Sequence, residues 1–330
     1  MREALRLDLA IAGKAEQEDL AKAAKTAASR YDRFKSSGRL AMGVLWNSNA
    51  NGGLDNLDVD IGPYTFRLRD DAEKKYAYGE YINGNLNWGW QRGEETPWHL
   101  VGDFAFFGKK FNNTLPSNQY FTWGHASLGL RHVGKKSAFD IRGRVGNANL
   151  DPFDSMTLWG GEASFIYALT SNFQLIARAG IDSRAYMEYD DKDGVYGNAG
   201  IYGRLLLGEG KHSILGGIKY IGASTSEERW SYDGYEALLR LDLELIRHVQ
   251  FSPFVGYRHT LYHDPSTALT AYFGEDNRTD NLLMTGCGLT WNITENVGVE
   301  VGWQYMKSYS NSPFYRYDQH QINTGLVFSF

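Results

Sequence analysis

In the stretch Gly124-His125-Ala126-Ser127, with His132 close by, a nucleophile and a base stand near each other in this chain. Serine–histidine chemistry needs the hydroxyl to donate to the imidazole and a carboxylate to orient the ring. The neighbouring residues argue against it. Leu128 and Leu130 alternate with Ser127 and Arg131, so on a strand the leucines take one face and His125 and Ser127 the other. A lipid hydrolase would need its nucleophile on the apolar face. The spacing also departs from the Gly-x-Ser-x-Gly elbow, which belongs to a strand-to-helix turn. His125 and Ser127 therefore read as interior polar residues, and the chain as no enzyme. Asp190, Asp191 and Asp193 are crowded enough to suggest calcium, but an acidic loop is ordinarily just solvated. Cys287 has no second cysteine to pair with and reads as a small apolar wall residue. No metal or cofactor is expected.

The elements that carry these residues follow from composition and alternation. Aromatics form 14% of the chain, and 37 glycines against 7 prolines favour strands and tight turns. Mean hydropathy is polar at -0.44, and no segment reaches the run of about eighteen apolar residues that a membrane helix needs. A barrel escapes that test, because only every second residue of its strands faces lipid. The net charge of -5 gives no footprint for nucleic acid.

Residues 2–35 are rich in Ala, Leu, Lys and Glu and lack proline, which predicts one or two amphipathic helices. The expected organisation is a periplasmic helical segment over 1–37 and a barrel over 38–330. Met1 precedes a charged segment rather than an apolar core, as in a mature or shortened form of a secreted protein. From Gly38 onward fourteen alternating segments appear, at 39–48, 75–92, 97–111, 117–134, 137–151, 156–170 and 172–187, then 194–208, 212–225, 231–246, 249–263, 278–294, 297–311 and 316–330. The fold class is thus an all-β transmembrane barrel of about fourteen antiparallel strands with a short N-terminal helical segment.

Link lengths give the orientation. Tight links such as Thr170-Ser171-Asn172 and Gly208-Glu209-Gly210-Lys211 alternate with longer polar ones such as 49–74 and 264–277. Bacterial barrels put short turns on the periplasmic side, so both termini are expected in the periplasm and the chain in the outer membrane. Aromatics near strand ends, including Trp88, Trp90, Trp98, Tyr167, Tyr220, Trp291, Trp303 and Tyr305, fit the two interfacial girdles.

The polar face then lines the interior. Its expected members are Asn85, Asn87, Asp103, Arg131, Asp140, Arg142, Arg144, Glu162, Arg178, Asp182, Arg184, Arg204, Arg240, Asp242, Glu244, Arg258 and Glu300. Both signs lie side by side, so ion pairs rather than one strong field are expected. The last strand ends in Phe330, with Phe328 on the same face, a terminal aromatic like the signal that outer-membrane assembly machinery reads.

Three stretches carry a family resemblance. Leu40-Ala41-Met42-Gly43-Val44-Leu45-Trp46-Asn47-Ser48-Asn49-Ala50-Asn51 resembles the first barrel strand of families that join periplasmic tetratricopeptide repeats to an outer-membrane barrel, although Asn47 stands where an Asp is common. Arg278-Thr279-Asp280 opens a later strand. Tyr309-Ser310-Asn311-Ser312-Pro313-Phe314-Tyr315-Arg316-Tyr317-Asp318 precedes the closing strand, and is similar to that of the surface lipoprotein assembly modifiers. The resemblance implies a translocation component that helps export a lipoprotein or other protein to the cell surface. Its implied partners are outer-membrane lipids, the assembly machinery and a secreted cargo. Polysaccharide export porins share the repeat-plus-barrel plan, so a glycan cargo is the alternative, with a general small-solute porin after it.

Overall fold

The computed structural model describes residues 34–54, 57–61, 64–67, 72–91, 96–112, 120–151, 154–264 and 277–330. Its strands are β1 (Phe34–Asn47), β2 (Asp58–Ile61), β3 (Tyr64–Arg67), β4 (Ala77–Gln91), β5 (Trp98–Phe111), β6 (Tyr120–Val133), β7 (Ser137–Asp151) and β8 (Asp154–Ala168). They continue as β9 (Phe173–Tyr186), β10 (Gly194–Leu207), β11 (His212–Thr225), β12 (Tyr232–Ile246), β13 (Val249–Tyr262), β14 (Thr279–Asn292), β15 (Val297–Ser310) and β16 (Tyr317–Ser329). β1 and β4 to β16 close into one barrel of fourteen strands, each antiparallel to its neighbours, and β2 and β3 form a separate hairpin inside the long 48–76 connection.

Alternation explains why this sequence closes rather than folding around a core. On β12, Leu239 and Leu245 are 47% and 56% exposed, while Arg240 between them is 8% exposed. That is the reverse of a water-soluble protein, and it is what lipid outside and a polar interior require. The same inversion recurs on β7, where Ile141 and Val145 are exposed and Asp140 is buried. Following the register once around the wall returns to β1 displaced by about 18 residues, which tilts the strands roughly 40° and gives a backbone diameter of roughly 28 Å.

Beyond shifts of one to three residues at strand ends, two features differ from the sequence reading. β1 begins at Phe34 rather than 39, because Phe34 to Gly38 continue the ladder opposite Leu86 to Trp90 of β4, where the Phe34 ring stacks on Trp88 at 6.2 Å. The helix expected over 2–35 otherwise lies outside the described residues. The alternation of link lengths also has an exception, since only residues 152 and 153 separate β7 from β8 at the end where the other links are longer. Backbone shape fits the tight turns. His248, at φ 70, closes the two-residue link between β12 and β13, beside a register shift at Glu244/Ile246 that adds local twist.

The barrel closes without a covalent link where β1 meets β16. Nine residue pairs, from Arg39↔Ser329 to Asn47↔Gln321, form this ladder, with Gly43 directly opposite Gly325. At one end Gly38 and Phe330 exchange both backbone hydrogen bonds, at 2.8 and 3.0 Å, and the Phe330 ring lies over Gly38. At the other, Ser48 N–H donates to His320 O at 2.9 Å. A Cβ at Gly43 would stand 2.0 Å from the Thr324 carbonyl oxygen, which is backbone and cannot turn aside.

Gly43→Val is therefore expected to destabilise the closed barrel by about 1–3 kcal/mol, the usual cost of overpacking. Urea titration followed by heat-modifiable mobility reads this directly. Unchanged stability would show that the seam has slack.

Candidate functional site

The interior face gathers its charges into a few groups, each set by register. On β5, β6 and β7, Asp103, Arg131, Asp140 and Arg142 interlock. Arg142 donates through Nε to Asp140 at 2.6 Å and through Nη1 to Asp103 at 2.5 Å, and Arg131 Nη2 reaches Asp140 at 2.6 Å. His125 Nε2 lies 2.9 Å from the same Asp103 carboxylate, to which the Ser127 hydroxyl also donates. Ser127 thus gives its proton to Asp103 and not to His125, which leaves no serine–histidine relay in this arrangement.

A second group joins β7, β8 and β9. Arg144 makes a bidentate pair with Asp182, at 2.6 Å from both Nε and Nη2, and donates to Glu162 at 3.0 Å. Such a fork is stronger and more directional than a single contact. Arg184 stands 3.5 Å from Asp182 and covers the Tyr196 ring at 4.1 Å. Arg178 lies on the same face of β9, opposite Ser164 and Gly200. Arg204 sits across from Gln174 on β10.

Farther round, Glu236 is flanked by its two cross-strand neighbours, Lys219 at 2.5 Å and Arg258 at 2.7 Å. Arg240 holds Asp242 at 2.6 Å, and Ser252 donates to that carboxylate at 2.7 Å. The Glu244 backbone N–H donates to His212 Nδ1 at 3.2 Å. At the seam, Glu300 of β15 pairs with Arg39 of β1 and accepts from the Tyr81 hydroxyl of β4 at 2.9 Å, so one carboxylate ties strands on both sides of the closure. Asn85 and Asn87 occupy the inner face of β4 opposite Arg39 and Ser37.

Sequence reasoning missed Glu236, Arg39 and Tyr81. Glu236 shares its parity with Arg240 and Asp242, so alternation already pointed to it. Arg39 and Tyr81 become visible only once β1 lies between β4 and β16.

The end of the barrel with the longer links carries a clasp of cations on aromatic rings. The Arg278 guanidinium lies 3.5 Å from the Tyr262 ring centre and 3.8 Å from that of Tyr315. Lys192 stands over Tyr189 at 4.2 Å and Trp230 at 4.9 Å. Asp191 accepts from Trp230 Nε1 at 2.7 Å and from Arg229 Nη2 at 2.8 Å, whereas Asp193 accepts from the Tyr186 backbone N–H at 2.6 Å. The acidic loop residues thus face different partners. Among the described residues no group of His, Cys, Asp and Glu has the arrangement to hold a metal ion.

Residues 98–329, spanning β5 to β16, match the model of the family described as surface lipoprotein assembly modifier. The chain belongs to the surface lipoprotein assembly modifier family. No curated protein sequence matches it. Among solved structures, the outer-membrane channel DcaP of Acinetobacter baumannii is similar over 90% of this chain and 97% of its own, with a TM-score of 0.50 and 9% identity. The toluene transporter TodX of Pseudomonas putida matches over 91% and 90%, at 0.45 and 9%. At such identities the likeness is one of fold, and this member of the family shares the outer-membrane barrel architecture.

Two outcomes test the site. Arg142→Ala with Arg144→Ala leaves Asp103, Asp140 and Asp182 short of partners while the wall stays intact, so planar-bilayer conductance should rise and shift toward cations. Unchanged conductance and selectivity would mean these groups do not shape the interior path. In the clasp, burial pushes the Asp191 carboxyl up, but the hydrogen bonds from Trp230 and Arg229 and the nearby cations outweigh this and hold it below the usual carboxylate range. Its contribution is complete above about pH 4 and is lost as pH falls through the lowered value. Asp191→Asn should mimic that loss at neutral pH by exposing the bond after Arg229 to trypsin. Equal resistance in both proteins would show that the carboxylate does not hold the clasp.

Proposed function

We propose that this barrel is a translocation component that helps carry a lipoprotein, or another secreted protein, to the cell surface, with the short turns and both termini in the periplasm. The observation that carries this reading is the family match, which runs through twelve consecutive barrel strands. The interior agrees with it. Its charges are Arg-rich and paired at close range, as in Arg142 with Asp103 and Asp140, or Arg144 with Asp182 and Glu162. A conduit for glycans is better served by acidic and aromatic walls on which sugar rings stack and slide. Balanced pairs of this kind also avoid a strong field that would trap a charged segment in passage. At roughly 28 Å between backbones, with side chains filling part of that width, an extended polypeptide fits and a folded domain does not. The terminal Phe330, packed over Gly38, is the residue expected to be read by the assembly machinery.

Protease shaving of intact cells that express a surface lipoprotein, with and without this chain, tests the reading. The lipoprotein should become accessible only when the chain is present, while secreted polysaccharide stays constant. Equal accessibility in both strains, or a loss of polysaccharide export in its place, would overturn it.

A further inference from the structure

Apolar side chains interrupt the polar interior face in several places, and two of these groups, Leu45 with Tyr81 and Phe111 and Ile176 with Tyr202 and Leu215, pack into buried clusters. A further group, an apolar patch, stays partly exposed. Leu238 of β12, Gly256 of β13, Met284 of β14 and Met306 of β15 lie in a single cross-strand row. Phe254 and Leu282 flank that row on the same face. The alternate residues Leu239, Val255 and Tyr257 are the exposed ones on the lipid side, so the patch faces into the barrel. Gly256, itself buried, lets its neighbours lean over the wall. A Cβ there would touch the Met284 methyl at 3.4 Å and Leu238 Cδ1 at 3.9 Å, so the two side chains converge over it. Leu238, Met284 and Met306 are each partly exposed rather than sealed beneath other residues. Lys219, Glu236 and Arg258 border the patch on one side and Arg240 with Asp242 on the other.

Apolar surface held open to a polar interior carries a standing cost, which contact with an apolar ligand would remove. Membrane lipid cannot reach it, because the closed sheet stands between. The chemistry of the patch narrows the ligand. Methionine and leucine offer flexible, polarisable surface that follows a bent chain, and the flanking Phe254 ring, laid over Gly286, extends that apolar surface. Its four strands span roughly 14 Å at about 4.8 Å apart, which suits an extended aliphatic chain. We propose that this patch is a binding site for an acyl chain inside the barrel, bordered by charged groups that suit the polar end of the same molecule. The inference rests on the lipoprotein reading of function and adds to it that the lipid part of the cargo enters the interior.

The test uses the full chain in lipid nanodiscs, with Cys287→Ser and Met284→Cys, and follows labelling of the introduced thiol by a water-soluble maleimide. An octanoylated tripeptide should slow labelling several-fold, while the same tripeptide without its acyl chain should leave the rate unchanged. Adding Leu238→Asn and Met306→Asn should remove the protection, with heat-modifiable mobility confirming a folded barrel. No slowing by the acyl peptide would overturn the proposal. Equal slowing by both peptides would also overturn it, assigning the patch to polypeptide side chains. Protection together with unchanged lipoprotein display in cells lacking the chain would keep the site and sink the functional reading. Display that depends on the chain, without protection, would do the reverse.

Discussion

Every backbone N–H and C=O within a bilayer needs a partner from the chain itself, and closure of the sheet is how this protein meets that demand. Thirteen of the fourteen strand pairs follow from connections along the chain. The remaining one, β1 with β16, has to be found in space, across nearly the whole length of the sequence. Its features answer to that need. Gly43 and Gly325 let the two backbones approach, Phe330 packs over Gly38 at one end, and Glu300 ties Arg39 and Tyr81 together on the inner side.

Closure also sets the interior problem. Once the apolar residues face lipid, the alternate ones must share a confined space, and charges left alone there would be costly. The groups resolve this locally. Glu236 sits between Lys219 and Arg258, Asp140 between Arg131 and Arg142, and Asp182 between Arg144 and Arg184. Each of these three carboxylates is thereby shared by two cations, on its own strand, on the next or, for Arg144 with Asp182, on the next but one, so the wall is stiffened across its hydrogen-bond direction as well as along it.

Much of this was legible in the sequence because the governing period is two. Leu239, Leu241 and Leu243 against Arg240, Asp242 and Glu244 divide the faces of β12 before any coordinates are known. Period alone does not give register. That Arg144 meets Asp182, 38 positions away, or that Arg39 meets Glu300, depends on how far each strand slides past the next, which link residues fix only in aggregate. The start of β1 was misplaced for a related reason. Phe34 to Ser37 carry little strand signal of their own and are extended because β4 offers them a partner. The cation–aromatic clasp joins four separate links, and nothing local in any of them announces Arg278 between Tyr262 and Tyr315.

The sharing of each carboxylate has a consequence for how such a wall changes through descent. Losing Lys219 leaves Glu236 with Arg258, and losing Arg258 leaves it with Lys219, so either step alone is tolerable. Losing Glu236 first sets two like charges across a single strand with nothing between them. Substitutions should therefore have a preferred order, cation before anion, and relatives should differ by one basic residue more often than by the acid at the centre. The inner wall becomes a record in which historical paths run one way more readily than the other.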